Sequence, residues 1–118
     1  MATYATLRQL ALALPESEEA SHFEKTSFRV KKKIFATLDE KNNFAVLKLS
    51  PVDQSAFSAF DSAVIHPVGG TWGKQGWTTI NLSKVRKTTL KDALTCAYCN
   101  VAPKKLTEEY VRKNDIAW

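Results

Sequence analysis

Four glycines, four prolines, two cysteines, two histidines and one methionine are all that this 118-residue chain holds of several informative residue types. Two cysteines cannot build the disulfide framework of a small secreted domain. So little glycine and proline excludes a collagen-like or low-complexity tract. No apolar run approaches the roughly 18 residues of a membrane span. The first residues, MATYATLRQL, lack the basic start and continuous apolar stretch of a secretory signal. The expectation is a cytoplasmic protein with no membrane partner and two reduced thiols.

What is present is balanced. Hydrophobic residues make up 44% and charged residues 25% of the chain. That balance and length suit one domain, spanning 1–118, with a single core. The formal charge of +5 is unevenly spread. Residues 25–48 hold seven basic and two acidic side chains, and residues 74–105 hold seven basic and one acidic. The remaining segments are net acidic, with Glu16, Glu18, Glu19 and Glu24 near the front. Two basic blocks attract polyanions through long-range potential and counterion release.

Leu7, Leu10, Ala11 and Leu14 recur at helical spacing, which predicts an amphipathic helix over 3–14, stopped by Pro15. A short strand follows over 18–23. The stretch FRVKKKIFATL, residues 28–38, alternates on either side of three lysines and predicts a hairpin tipped by Lys31, Lys32 and Lys33. Phe28 and Val30 are expected to point one way and Arg29 the other, and Ile34, Ala36 and Leu38 to share one side against Phe35 and Thr37. Lys41-Asn42-Asn43 reads as a turn, because asparagine tolerates positive φ. Residues 44–49 form the next strand.

Ser50-Pro51 opens a helix, with serine as cap and proline at the first position. Its buried face is expected to hold Val52, Ala56, Ala59 and Phe60. Residues 63–67 are extended, and Pro67-Val68-Gly69-Gly70 breaks regular structure. Residues 77–82 alternate as a strand. Thr88 or Thr89 is expected to cap a long helix with Leu90, Ala93, Leu94, Ala97 and Val101 inside, ended by Pro103. A further short helix begins near Thr107 and runs towards Trp118. Strands in runs, rather than alternating with helices, predict an α+β domain with an antiparallel sheet packed with helices.

Little catalytic chemistry assembles. Cys96 and Cys99 form a C-x-x-C in the second half of a predicted helix, far from the positive helix end that depresses a thiol pKa. Packing explains them better than redox work or zinc, since no second pair completes four ligands. His22 and His66 have no nucleophile and orienting group at a triad spacing. Glu16, Glu18 and Glu19 read as a solvated connection rather than a metal site. No nucleotide-binding glycine motif is present. The expectation is no enzyme activity, no cofactor and no metal.

The segment HPVGGTWGKQGW stands apart. Trp72 and Trp77 flank two glycines and Lys74. Exposed, the pair is a stacking platform for single-stranded nucleic acid or a flat ligand. Buried, it is ordinary core with glycines allowing a tight crossing.

The segment EEASHFEKTSFRVKKKIFATL, from Glu18 to Leu38, resembles the acidic–His–Phe, Ser-Phe-Arg-Val and Lys-Ile-Phe-Ala pattern of the MmcQ/YjbR family. Leu47-Lys48-Leu49, Trp72-Gly73 with Gly76-Trp77, and Val101 through Leu106 are similar to its later blocks, in order. Glu24 and Thr26 stand where that family often has glycine and proline. The resemblance implies a CyaY-like fold described as a double wing and associated with DNA binding.

Together these readings make Lys31, Lys32 and Lys33 a wing tip suited to phosphate contact. Arg29, Lys48 and Lys74 extend that patch, and Lys104 and Lys105 form a second basic site. No helix reads as a base-reading recognition helix. The expected partner is DNA, with RNA as the second candidate, bound weakly and without sequence preference by a monomer or weak homodimer. The rival reading is a small-molecule- or protein-binding module on Trp72 and Trp77, with His22.

Overall fold

The computed structural model describes residues 3–22 and 25–108. Six strands run β1 (Ser17–His22), β2 (Lys25–Val30), β3 (Lys33–Asp39), β4 (Phe44–Lys48), β5 (Ile65–Pro67) and β6 (Trp77–Asn81). Among the described residues the helices include α1 (Tyr4–Leu12), α2 (Pro51–Phe60), α3 (Gly70–Lys74) and α4 (Lys87–Val101). The strands form one sheet in the order β1-β2-β3-β4-β6-β5, and every neighbouring pair is antiparallel. The first four follow as a meander of short connections. The chain then leaves through α2, and β6 returns between β4 and the edge strand β5.

Local chemistry sets most element ends. Thr3 caps α1, its side chain accepting from the Thr6 amide, and the helix stops at Leu12, before Pro15. Ser50 caps α2, its hydroxyl accepting from the Asp53 amide, with Pro51 at the first turn. Asn43 has a φ of 55°, as the asparagine turn requires. The cap of α4 is Arg86 and not a threonine. Lys87 precedes the apolar stripe, so the helix begins earlier than its threonines predict. The chain is helical again at 104–108, and the rest of that expected helix lies outside the described residues, as does Phe23.

The core lies between the sheet and the helices. Strand residues Phe28, Val30, Ala36, Leu38, Ala45, Leu47 and Ile80 are fully buried. They meet Leu7 and Ala11 of α1 and Leu90, Ala93, Ala97 and Tyr98 of α4. On β4 and β6 buried and half-buried residues alternate strictly, so Phe44, Val46, Lys48, Trp77, Thr79 and Asn81 line the opposite, half-exposed face.

Two facings differ from the sequence expectation. On β3, Phe35 is fully buried and Ile34 is only half-buried. The cause is a bulge. Phe28 pairs with Ala36, but Arg29 pairs with Ile34, leaving Phe35 as an extra residue. On α2, Val52, Ala56, Ala59 and Phe60 are exposed, and Phe57 packs against the core instead. Polar contacts set that rotation. Gln54 Nε2 donates to the Gly73 carbonyl at 2.9 Å, to Thr78 Oγ1 at 3.1 Å and to the Trp77 carbonyl at 3.2 Å.

Candidate nucleic-acid interface

The lysine tip is tighter than three residues. Lys33 pairs with Val30 in the ladder, so only Lys31 and Lys32 turn. Their φ values are 49° and 69°. A two-residue hairpin with both central residues in the left-handed region is the type I′ turn, which normally takes asparagine and glycine. Lysines there accept backbone strain of about 1 kcal/mol or more per residue. The geometry throws both side chains into solvent at the end of the β2–β3 ribbon, and both are exposed.

Charge at the tip is partly answered. Lys31 Nζ donates to Glu16 Oε1 at 2.8 Å, with both side chains about half exposed. Glu16 sits just before β1, and β1 pairs Ser17 with Val30. Neither Lys32 nor Lys33 makes an ion pair among the described residues. Both ammonium groups therefore project uncompensated from the tip and from the start of β3.

The sheet register carries this basic end across the molecule. Arg29 lies beside the tip on the half-exposed face, its Nε donating to Ser27 Oγ at 3.3 Å. Lys48 closes β4 at the same end and pairs with Trp77, the first residue of β6. Lys48 Nζ sits 5.3 Å from the Trp77 ring centroid and donates to the Gln75 carbonyl. From Arg29 on β2 to Trp77 on β6 is three strand spacings, about 14 Å. Lys74, in the last turn of α3, is exposed beside the same loop. Asn100, near the end of α4, donates to the Lys48 carbonyl at 3.2 Å. The exposed Lys104 and Lys105 follow within five residues. Lys104 lies 3.9 Å from Glu108 in an open, solvent-screened pair.

The tryptophan loop is built rather than loose, and it contains a helix where irregular chain is expected. Gly73 passes so close to Val68 that a Cβ would lie 1.8 Å from its carbonyl oxygen. Gly76 has a φ of +104°, and a Cβ there would lie 2.0 Å from the Leu49 carbonyl oxygen. The tight crossing expected of these glycines is present, yet only half of the burial expected with it. Trp77 is half-buried, whereas Trp72 is 62% exposed. The two rings meet edge to face, centroids 6.3 Å apart and planes at 64°.

Of the other candidates, His22 falls away from this end, while His66 pairs with Thr79, two positions from Trp77. His22 pairs with Lys25 at the far end of β1, four strands from β6, so the register separates its backbone from the tryptophans. Its side chain lies outside the described residues. His66 is exposed on β5. Burial pushes the Cys96 thiol up to about 12, with Asp53, Cys99 and Asp92 adding to the shift. Burial, then Asp53, raises Cys99 as well. These are protonated packing thiols at neutral pH, the reverse of an activated pair. Among the described residues no three His, Cys, Asp or Glu side chains gather as a metal site. No described helix is long and apolar enough to cross a membrane.

Three contacts that shape the end are invisible to motif reasoning: Glu16 with Lys31, Gln54 with the tryptophan loop, and Lys48 over Trp77. The partners are 15 to 29 positions apart, with no spacing rule linking them.

Comparison with known proteins agrees with this architecture. Among solved structures, the chain is similar to the crystal structure of Deinococcus radiodurans protein DR2400, which carries the DUF419 family-model domain. The two superpose with a TM-score of 0.76 at 25% sequence identity, over 99% of this chain and 91% of that one. No curated protein matches the chain. The YjbR family model matches residues 12–100, which hold the lysine tip, Arg29, Lys48 and both site tryptophans but not Lys104 and Lys105. With that match covering most of its length, the chain belongs to the YjbR family.

Proposed function

We propose that this protein is a non-enzymatic nucleic-acid-binding protein that grips phosphates at the lysine-tipped end of its sheet. One observation carries the reading. Cations distant in sequence (Arg29, Lys32, Lys33, Lys48 and Lys74) lie on elements that begin or finish at the same end of the sheet. The left-handed lysine turn adds support, because strain retained at a tip points to a role for the side chains it presents. Binding is electrostatic and indifferent to sequence, since the described helices offer no exposed base-reading face. DNA is the expected partner, RNA the second, and a monomer or weak homodimer is the expected binding form.

The test is anisotropy of a labelled DNA duplex titrated at several salt concentrations, with wild type and a Lys32→Glu/Lys33→Glu double variant. Wild-type affinity is expected to fall with salt at a log–log slope of about −3, from three to four phosphate contacts. The double variant is expected to bind at least tenfold more weakly, with a slope shallower by about two. Equal affinity and equal slope in the two proteins would remove the proposal.

A second reading has an observation of its own, the exposure of Trp72. It makes the Trp72–Trp77 pair a dock for a flat small molecule or a protein segment. Binding that survives the lysine double variant but not Trp72→Ala, with no salt dependence, would favour it.

A further inference from the structure

Strand register sets the tryptophan pair and the lysine tip at the same end of the sheet, and that placement bears on which form of nucleic acid fits. Building on the reading above, we infer that this end selects single-stranded nucleic acid, with an unpaired base stacked on Trp72 and successive phosphates of the same strand held by Lys48, Arg29 and the lysine tip.

Trp72 exposes 62% of its surface although its loop is fixed in place. Gly73 and Gly76 lock the chain against Val68 and Leu49, leaving no room for a Cβ. The Gln54 amide ties the Gly73 and Trp77 carbonyls to α2. Trp77 meets the Trp72 ring at 64°, so the contact supports the indole without covering it. A rigid, open indole loses little conformational freedom when a base stacks on it. Lys48 lies over the Trp77 ring, which puts a cation within one side chain of the platform. Trp77 pairs with Lys48, the Leu47–Ala36 pair sets Lys48 level with Phe35, and the next residue, Ile34, pairs with Arg29 beside the tip. A duplex hides its base faces in the stack and can offer this surface phosphates alone. An unpaired strand offers both, and base–aromatic stacking tolerates any sequence.

The experiment compares three probes at one salt concentration: a short single strand (oligothymidine and oligouridine in parallel), a duplex of the same length, and heparin, a polyanion without bases. The proteins are wild type, Trp72→Ala and Trp72→Phe. Wild type is expected to bind the single strands at least fivefold more tightly than the duplex. Trp72→Ala is expected to weaken single-strand binding by about five- to one-hundred-fold, leaving duplex and heparin affinities within twofold. Trp72→Phe keeps an aromatic face and is expected to restore most of the single-strand affinity. Quenching of tryptophan fluorescence by the single strands should largely vanish in Trp72→Ala. Single strand, duplex and heparin bound alike, and insensitively to Trp72, would overturn this inference and leave the phosphate-binding reading standing. Wild type that binds none of the three probes would remove both.

Discussion

At Phe35 a single extra residue decides what enters the core. Plain alternation along β3 sends Ile34, Ala36 and Leu38 to one side, yet the bulge opposite Phe28 and Arg29 turns Phe35 inward. Its ring meets Tyr98 edge-on at 5.7 Å, where β3 contacts α4. Tyr98 in turn donates its hydroxyl to the Pro15 carbonyl at 2.7 Å, joining α4 to the start of the sheet. Truncating Phe35 therefore empties a closed site, and the surroundings cannot collapse around it without moving α4. Phe35→Ala is expected to lower unfolding free energy by about 3–5 kcal/mol. Ile34→Ala, on the half-exposed face, is expected to lower it by about 1 kcal/mol or less. Urea unfolding of both variants measures the pair, and equal losses would mean that Ile34 shares the core. Phe35 and Ile34 are both large and apolar, so composition has no means of ranking them.

Among the elements, α2 shows boundary and facing obeying different rules. Its start follows from Ser50 and Pro51, whose capping and preset φ act within one turn. Its facing follows from what the folded sheet presents. Gln54 finds three acceptors around Gly73, Trp77 and Thr78, and Phe57 reaches the core from the same side. The competing stripe of Val52, Ala56, Ala59 and Phe60 is left outward, with Val52 77% and Phe60 74% exposed. Packing Phe57 in place of Phe60 keeps one phenylalanine on the core, and satisfying the part-buried Gln54 amide, at about 1–3 kcal/mol for an unmade buried hydrogen bond, then outweighs hiding two small alanines and a valine. Val52→Ala and Phe60→Ala are each expected to change stability by no more than about 0.5 kcal/mol. Phe57→Ala is expected to lower it by about 2 kcal/mol or more. Thermal or urea melts of the three variants read this directly. A large loss at Phe60 would return the helix to the facing its hydrophobic spacing predicts.

Across the whole molecule, part of each basic block reaches the lysine-tipped sheet end, Arg29, Lys31, Lys32, Lys33 and Lys48 from the first and Lys74 from the second, while Lys41, Lys84 and Arg86 stand beyond the opposite strand ends. Glu16 holds Lys31 at 2.8 Å and subtracts a cation from the tip. A half-exposed pair of this kind contributes about 1 kcal/mol at most, so its stability value is small. Its effect on the outward field is larger, since removing the carboxylate both frees Lys31 and lifts a repulsion from incoming phosphates. Glu16→Gln is expected to tighten DNA binding about two- to fivefold at low ionic strength, with the gain shrinking as salt screens the charges. Anisotropy at low and near-physiological salt checks this. Unchanged or weaker binding at low salt would indicate that phosphates do not approach the tip.

The element order apart from the short helix α3, the lysine hairpin, the antiparallel α+β class and the family were legible in the chain itself. Caps, turn residues and period-two alternation act over one to seven positions, and a linear reading samples that range fully. The bulge at Phe35, the rotation of α2, the Glu16–Lys31 pair and the meeting of Lys48 with Trp77 were decided only by the tertiary structure. Each depends on strand register, or on helix packing against strands, which joins residues that no local pattern relates. Lys31, Lys48 and Trp72 are basic or aromatic wherever they stand, but only the pairing of β2, β3, β4 and β6 puts them at one end of one sheet.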